Sequence, residues 1–107
     1  MHKYLCLLVF ALLAATASAE REEYRVVLKN HRFSPAEIQV PSNRLLFLVV
    51  ENKDASAEEF DSLDLHREKI IAAGKTAKIK IGPLKAGTYR FFGAFNADTA
   101  QGVVIAK

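Results

Sequence analysis

The sequence GTYRFF over residues 87–92 and the stretch GVVIA over 102–106 decide the fold class of this chain. Both are short and rich in β-branched or aromatic residues, and a loop containing glycine and asparagine joins them. Upstream, TAKIKI over 76–81 alternates strictly between polar and apolar residues, and EIQV over 37–40 does the same before Pro41. Alternation with a period of two is typical of a half-buried β-strand. These stretches therefore predict an all-β protein.

The rest of the chain also favours strands over helices. RLLFLVV over residues 44–50 is a continuous apolar run, which fits a strand buried on both faces better than such a short helix. Weaker β-prone stretches occupy residues 24–29, 60–65 and 68–71. A single helical turn is expected near 54–59 or 95–101. With turn signals between the short strands, the pattern predicts a sandwich or barrel of about seven or eight strands in one domain.

The beginning of the chain has the organisation of a secretory signal peptide. A short basic start precedes an apolar run over residues 4–15 and an Ala-x-Ala pattern that ends at Ala19. The apolar run is too short to span a bilayer, so no membrane span is expected after cleavage. We predict a signal peptide at 1–19 and a single exported domain at 20–107.

Composition limits the chemistry of the exported domain. Cys6, the one cysteine of the chain, lies within the predicted signal peptide. The domain is therefore expected to have no disulfide, thiolate metal site or cysteine nucleophile. The formal net charge is +3, but the basic residues of 75–90 alternate with apolar ones, and aromatic residues do not interleave with the basic ones on one face. Nucleic-acid binding is not predicted, and no Ser-His-Asp order or phosphate-binding loop indicates hydrolase or nucleotide chemistry.

Several motifs together resemble those of the cupredoxins, a family of small copper-binding β-sandwich proteins. HRFSPAEIQV over residues 31–40 is similar to the family's opening segment, and LFLVVEN over 46–52 to the strand before its first ligand loop. AAGKT over 72–76 resembles the turn into a sheet strand, and GTYRF over 87–91 resembles the strand before the last ligand loop. The resemblance covers residues 25–106 and implies a cupredoxin-like Greek-key β-sandwich.

The ligand positions of that family are altered in this sequence. In cupredoxins the strand before the last ligand loop ends in a cysteine, and the loop adds a histidine and a methionine. The corresponding positions here hold Phe92, Phe95 or Asn96, and Ala100. A histidine also precedes the aromatic residue of the first ligand loop, where this chain has Glu59 before Phe60. Because a blue copper centre needs a thiolate with imidazoles, the resemblance implies that the fold is kept without its thiolate copper site.

Within the cupredoxins the chain resembles the EfeO-type branch, exported single-domain proteins found beside bacterial iron-uptake permeases. The signals are EEFDS over residues 58–62, LHREK over 65–69 and FGAFN over 92–96. The resemblance implies a periplasmic metal-binding accessory protein, with copper or iron as its metal. Its implied partners are periplasmic or membrane components of an iron-uptake system. It would assist ferrous-iron oxidation or delivery to a permease, although this chain alone carries no complete redox site.

The candidate metal ligands are mostly carboxylates, which favour hard ions or copper(II) held by oxygen and nitrogen. Glu59 is the first candidate, because its position in the family faces the C-terminal ligand loop. The other candidate ligands are Glu58, Asp61, His66, His31 and Asp98. Each has a competing interpretation as an ordinary surface acid or loop histidine, and Asp98 could instead cap the turn before Gly102.

The alternative function belongs to a different class. A metal-free β-sandwich that has kept the frame and lost the ligands could serve as a protein-interaction module. Its docking surface would then be the acidic segment 54–68 together with the aromatic loop 91–96.

Overall fold

The computed structural model describes residues 22–107, which form nine β-strands in two sheets. The predicted signal peptide at 1–19 lies outside the described residues. The strands are β1 (Glu23–Lys29), β2 (Arg32–Ser34), β3 (Glu37–Val40), β4 (Leu46–Asn52), β5 (Glu58–Ser62), β6 (Arg67–Ile71), β7 (Thr76–Ile81), β8 (Gly87–Gly93) and β9 (Gln101–Ala106). A 3-10 turn over Ala94–Asn96 joins β8 to β9.

The two sheets are both mixed. The four-stranded sheet has the order β2-β1-β4-β7, and the five-stranded sheet has the order β3-β9-β8-β5-β6. Strands β1 and β4 run parallel, as do β3 and β9, while the other paired strands are antiparallel. The predicted all-β sandwich is confirmed. It has one strand more than predicted, because the three-residue strand β2 is too short to show a period in the sequence.

The strands agree with the sequence predictions best where the apolar and polar residues alternate. Strands β3 and β7 have the predicted bounds. Strand β5 does not extend to Leu65, because residues 63–66 form a turn in which His66 has a φ of 56°. Of the two positions expected for a helical turn, the second is found, as the 3-10 turn over Ala94–Asn96. In the described part of the chain no helix is long and apolar enough to cross a membrane.

Three phenylalanines pack between the sheets and hold β2, β5 and β8 together. Phe33 lies edge-on to Phe60 and Phe91, with ring centroids 6.3 and 5.1 Å away, and the rings of Phe60 and Phe91 stack at 5.0 Å. All three side chains are buried. Because strand side chains alternate between faces, this packing also turns Glu58 and Gly93 inward, each two residues from a phenylalanine on its own strand.

Asn52 fixes the loop that leads into β5. Its buried side-chain amide donates hydrogen bonds to the carbonyl oxygens of Ser56 (2.9 Å) and Ile71 (3.0 Å). Its carbonyl oxygen accepts one from the Asp54 N–H at 2.9 Å. The start of β5 is therefore tied to the end of β4 and to the last residue of β6.

Truncation of Phe60 tests the role of the aromatic packing. We expect Phe60→Ala to lower the free energy of unfolding by about 3–5 kcal/mol, because it leaves a cavity between the sheets. Phe95→Ala is the control, since the Phe95 side chain is 53% exposed, and it should change stability by about 0.5 kcal/mol or less. Urea unfolding followed by circular dichroism measures both. Similar losses from the two variants would contradict this account of the core.

Candidate metal centre

Strand β5 separates its acidic residues onto two faces of the five-stranded sheet. Glu58, Phe60 and Ser62 are buried and point between the sheets. Glu59 and Asp61 alternate with them and lie on the outer face, partly exposed. The predicted carboxylate ligands of this segment therefore form two different sites.

On the outer face, three carboxylates from β5 and β6 meet. The strands pair with Asp61 opposite Glu68, and Glu59 lies two residues from Asp61 on the same face. One carboxylate oxygen from each of these three residues lies within 4.8 Å of the others. We call Glu59, Asp61 and Glu68 the outer carboxylate group. In residues 22–107 it is the one set of three or more acidic, histidine or cysteine side chains close enough to share a cation.

Mutual repulsion characterises this group. Partial burial, followed by the charges of Asp61 and Glu68, raises the pKa of Glu59. Partial burial, followed by the charges of Glu68 and Glu58, raises the pKa of Asp61, and a side-chain hydrogen bond with Glu59 opposes part of that rise. The Asp61 Oδ1 atom is inaccessible and has no hydrogen-bond partner among the described residues. The ionised form of the group is therefore poorly compensated by the protein.

The nearby base does not neutralise the group. The Arg67 guanidinium donates from Nε to the carbonyl oxygen of Lys80 and from Nη1 to that of His66, both at 2.8 Å. The ion pairs found within residues 22–107 use other acids: Arg25–Glu51, Arg44–Glu22 and Lys78–Glu23. The outer carboxylate group is thus left without a salt-bridge partner in the described part of the chain.

A surface cavity of about 340 Å³ adjoins the outer carboxylate group. Asp61 and Glu68 line it together with His66, and the walls include the apolar side chains of Leu63 and Phe92. His66 reaches this cavity because the turn before β6 adopts a positive φ at this residue. The cavity gives a hydrated ion access to two of the three carboxylates, with an imidazole at its border.

On the inner face, Glu58 is 2% exposed and its carboxylate faces the loop after β8. Oε1 accepts hydrogen bonds from the N–H groups of Glu59 (3.0 Å) and Phe95 (2.8 Å). Oε2 accepts one from Nδ2 of Asn96 at 2.7 Å. The expectation that Glu59 faces the C-terminal loop is therefore corrected: the inward residue is Glu58, because Phe60 must point into the core.

The assignment of Phe92 to the cysteine position is corrected by the same alternation. Strand β8 ends at Gly93, which is buried and lies beside Glu58. Phe92 pairs with Asp61 and lines the outer cavity. The inner residue that ends the strand is therefore Gly93, one residue later than the sequence comparison placed it.

The remaining predicted ligands lie outside the outer carboxylate group. His31 is exposed in the β1–β2 turn, where its N–H donates to Oδ2 of Asp54 at 2.9 Å. Asp98 is exposed in the loop before β9. That loop is closed by backbone hydrogen bonds from Thr99 and Ala100 to the Asn96 carbonyl oxygen, at 3.1 and 2.9 Å.

Glu68 is the member of the outer carboxylate group that the sequence predictions leave out of the candidate set. The pairing of β5 with β6 identifies Glu68, because it places Glu68 directly across from Asp61. The four-residue turn between the two strands fixes that register, and its length was obscured by the apolar Leu63 and Leu65, which read as a continuation of the strand.

The inner position does not fit a thiolate copper centre. The residues that surround it are Glu58, Gly93, Asn96 and Ala100. The one cysteine and the one methionine of the chain are Cys6 and Met1, so neither belongs to residues 22–107. The outer carboxylate group offers three oxygen ligands, which suit hard cations and copper(II) better than copper(I).

Comparison with known proteins agrees with the architecture. The family described as "Cupredoxin-like domain" matches residues 3–106. An uncharacterized protein of Rickettsia prowazekii (strain Madrid E) is 43% identical over 83 residues, which cover 78% of this chain and 66% of that protein. The matched part thus spans just under two thirds of the relative's length.

Solved structures share the fold at low sequence identity. Reduced auracyanin from Roseiflexus castenholzii aligns with a TM-score of 0.67 and 13% identity, over 82% of this chain and 98% of that one. The metal-binding domain of the Cu(I)-exporting P-type ATPase CopA of Streptococcus pneumoniae aligns with a TM-score of 0.71 and 15% identity, over 79% and 84% of the two chains. Together with the family match, the nine-stranded sandwich shows that this chain belongs to the cupredoxin-like domain family.

Proposed function

We propose that this protein is an exported metal-binding accessory protein whose metal site is the outer carboxylate group. The observation that carries the proposal is the inaccessible, unpartnered Asp61 Oδ1 within a set of three carboxylates whose oxygens lie within 4.8 Å. Carboxylates this close repel one another when they are ionised. A bound cation would remove that repulsion and supply the partner that the Oδ1 atom of Asp61 lacks.

The ligand chemistry favours ferric iron or copper(II) at this site. Three carboxylate oxygens form a hard ligand set, and the His66 imidazole at the border of the cavity could add a nitrogen. Copper(II) belongs in the proposal because carboxylate oxygens together with an imidazole nitrogen can hold it; the domain of the same fold described with Cu(I) supports copper only as a metal that this fold can carry. Iron belongs in it because of the hardness of the carboxylates and the resemblance to the EfeO-type branch.

The cellular role follows from the predicted export signal and that resemblance. We place the protein in the periplasm, where it would hold an oxidised metal ion and deliver it to a permease or another component of an iron-uptake system. Delivery needs only binding and release. Assistance in ferrous-iron oxidation would need an electron acceptor from a partner, since the inner position does not fit a thiolate copper centre.

Metal titration of the protein recovered after export tests the site. We expect calorimetry to show one copper(II) or iron ion per wild-type chain, and an affinity at least about tenfold lower in Asp61→Asn and in Glu68→Gln. Glu37→Gln is the matched control, because Glu37 is exposed at the start of β3 in the same sheet, and it should bind like the wild type. Absence of binding above the nonspecific background, or equal losses in all three variants, would contradict the proposal.

The raised pKa values of Glu59 and Asp61 predict that metal binding depends on pH. Protons compete with the metal until the pH exceeds these raised values. We therefore expect the affinity for copper(II) to increase with pH beyond the ordinary carboxyl range, and to become flat once the group is ionised. A pH series of the same titration measures this. An affinity that levels off near about pH 4, the ordinary carboxyl value, would contradict the assignment of these residues as ligands.

The same raised pKa values predict an inverse effect on the metal-free protein. A carboxyl group whose pKa is higher in the folded state binds more protons when folded, so stability falls as the pH rises. The destabilisation is absent below the ordinary carboxyl pKa and complete above the raised one. Asp61→Asn should therefore raise the thermal midpoint at neutral pH and lose this advantage at about pH 3. A benefit that persists at acid pH would show that the repulsion is not its source.

A second candidate function, a protein-docking surface, is favoured by two exposed apolar side chains near the same group. Leu63 is 84% exposed and Ile70 is 59% exposed. Leu63 lines the cavity, and Ile70 lies across from Glu59 in the β5–β6 pair. The metal titration separates the two functions, because a wild-type protein that binds neither copper(II) nor iron would favour docking.

A further inference from the structure

The Glu58 carboxylate connects the parts of the fold that surround the inner position. Its three hydrogen bonds run from the start of β5 to the N–H of Phe95 and the amide of Asn96 in the loop after β8, and to its own neighbour Glu59. Both carboxylate oxygens are used, and the side chain is 2% exposed. Glu58 is thus a buried acid that has donors on each oxygen and takes no part in the outer carboxylate group.

The space around Glu58 leaves no room for a larger side chain. A Cβ atom added to Gly93 would lie 2.6 Å from Cδ of Glu58 and 2.8 Å from Cβ of Ala100. Contacts this short do not occur between unstrained carbon atoms, whose favourable separation is about 3.5–4.0 Å. The carboxylate of Glu58 and a side chain at position 93 therefore exclude each other.

We propose that the Glu58 carboxylate replaces a metal ion at the inner position and closes that position to cations. A metal ion there would link β5, the end of β8 and the loop through its ligands. Glu58 makes the same link through hydrogen bonds and close packing. The donors that face its oxygens carry partial positive charge, so they stabilise an anion and oppose a cation at the same point. This inference does not depend on metal binding by the outer carboxylate group.

The consequence is that the loop of residues 94–100 keeps one conformation with or without metal. The Phe95 N–H is held by Glu58, while the Phe95 side chain is 53% exposed. In a loop organised by a metal, removal of the ion would release the loop. In this chain the group that holds the loop is the Glu58 side chain, which belongs to β5. A chelator therefore cannot release the loop.

Amide hydrogen exchange tests the proposal directly. We expect the Phe95 amide to exchange at least about tenfold faster in Glu58→Gln than in the wild type, because an uncharged amide is a weaker acceptor than a carboxylate. Glu37→Gln is the control, because Glu37 is exposed at the start of β3, and it should leave the Phe95 amide unchanged. Adding copper(II) or EDTA should also leave it unchanged in the wild type. A change in Phe95 exchange on adding or removing metal would overturn the proposal.

A second test measures the exclusion between Glu58 and position 93. Gly93→Ala should lower the thermal midpoint by at least about 5 °C. In a Glu58→Ala background the loss should be smaller but not zero, because Cβ of Ala100 would still lie 2.8 Å from the added atom. Gly87→Ala on the same strand is the matched control, since its added Cβ would meet atoms only at 3.8 Å or beyond, and it should have little effect. Equal losses from Gly93→Ala in both backgrounds would show that the two residues do not compete for space.

Metal titration of Glu58→Gln distinguishes the two proposals. Wild-type stoichiometry and affinity in this variant, with weakened binding in Asp61→Asn, would support both. A loss in Glu58→Gln as large as in Asp61→Asn would overturn the closed inner position. If the wild type binds no metal, the proposed function fails, while the role of Glu58 is still decided by the Phe95 amide and the Gly93 variants.

Discussion

The packing of Phe60 against Phe33 and Phe91 is the contact on which the arrangement of both sites depends. It fixes which face of β5 points between the sheets. Once Phe60 is inside, Glu58 must be inside as well, and Glu59 and Asp61 must be outside. A strand that slipped by one residue would bury the pair of acids and expose the aromatic ring, which is strongly unfavourable. The division into an inner and an outer site is therefore set by the core.

The two sites show opposite ways of accommodating a carboxylate. Inside, both carboxylate oxygens of Glu58 accept hydrogen bonds. The neighbouring positions hold the small residues Gly93 and Ala100, which leave room for the carboxylate. Outside, the oxygens of Glu59, Asp61 and Glu68 lie close together, and partial burial followed by the neighbouring carboxylate charges raises the pKa of Glu59 and of Asp61. The first arrangement is satisfied within the chain, whereas the second would be relieved by the cation that we propose binds there. Residue type alone does not distinguish a structural acid from a candidate ligand. The number of hydrogen-bond donors that face the carboxylate oxygens does distinguish them.

The sequence predicted the architecture better than the site, for reasons that individual residues make clear. Strict alternation defined β3 and β7, and a long apolar run defined β4, because each pattern extends over a whole strand. The site depended on which residue of each strand points inward, and an error of one position exchanges the two faces. In this way the sequence points to Glu59 and Phe92, whereas the residues that face inward are Glu58 and Gly93. Glu68 joins the site only through the register of β5 with β6, which a single sequence does not encode locally.

The parallel pairing of β3 with β9 has a consequence for the order of assembly. Glu37 lies beside Val103 in the sheet, so one of the earliest strands finds its neighbour among the last residues of the chain. The turn at Asn30 and His31 likewise depends on the Asp54 carboxylate, which accepts both of their backbone N–H groups. Contacts between such distant segments make folding slow compared with that of proteins built from local contacts. Strand β3 must therefore stay unpaired until β9 has been made, whereas β1 can already pair with β2 and β4, so the last residues of the chain decide when the five-stranded sheet gains its outer strand.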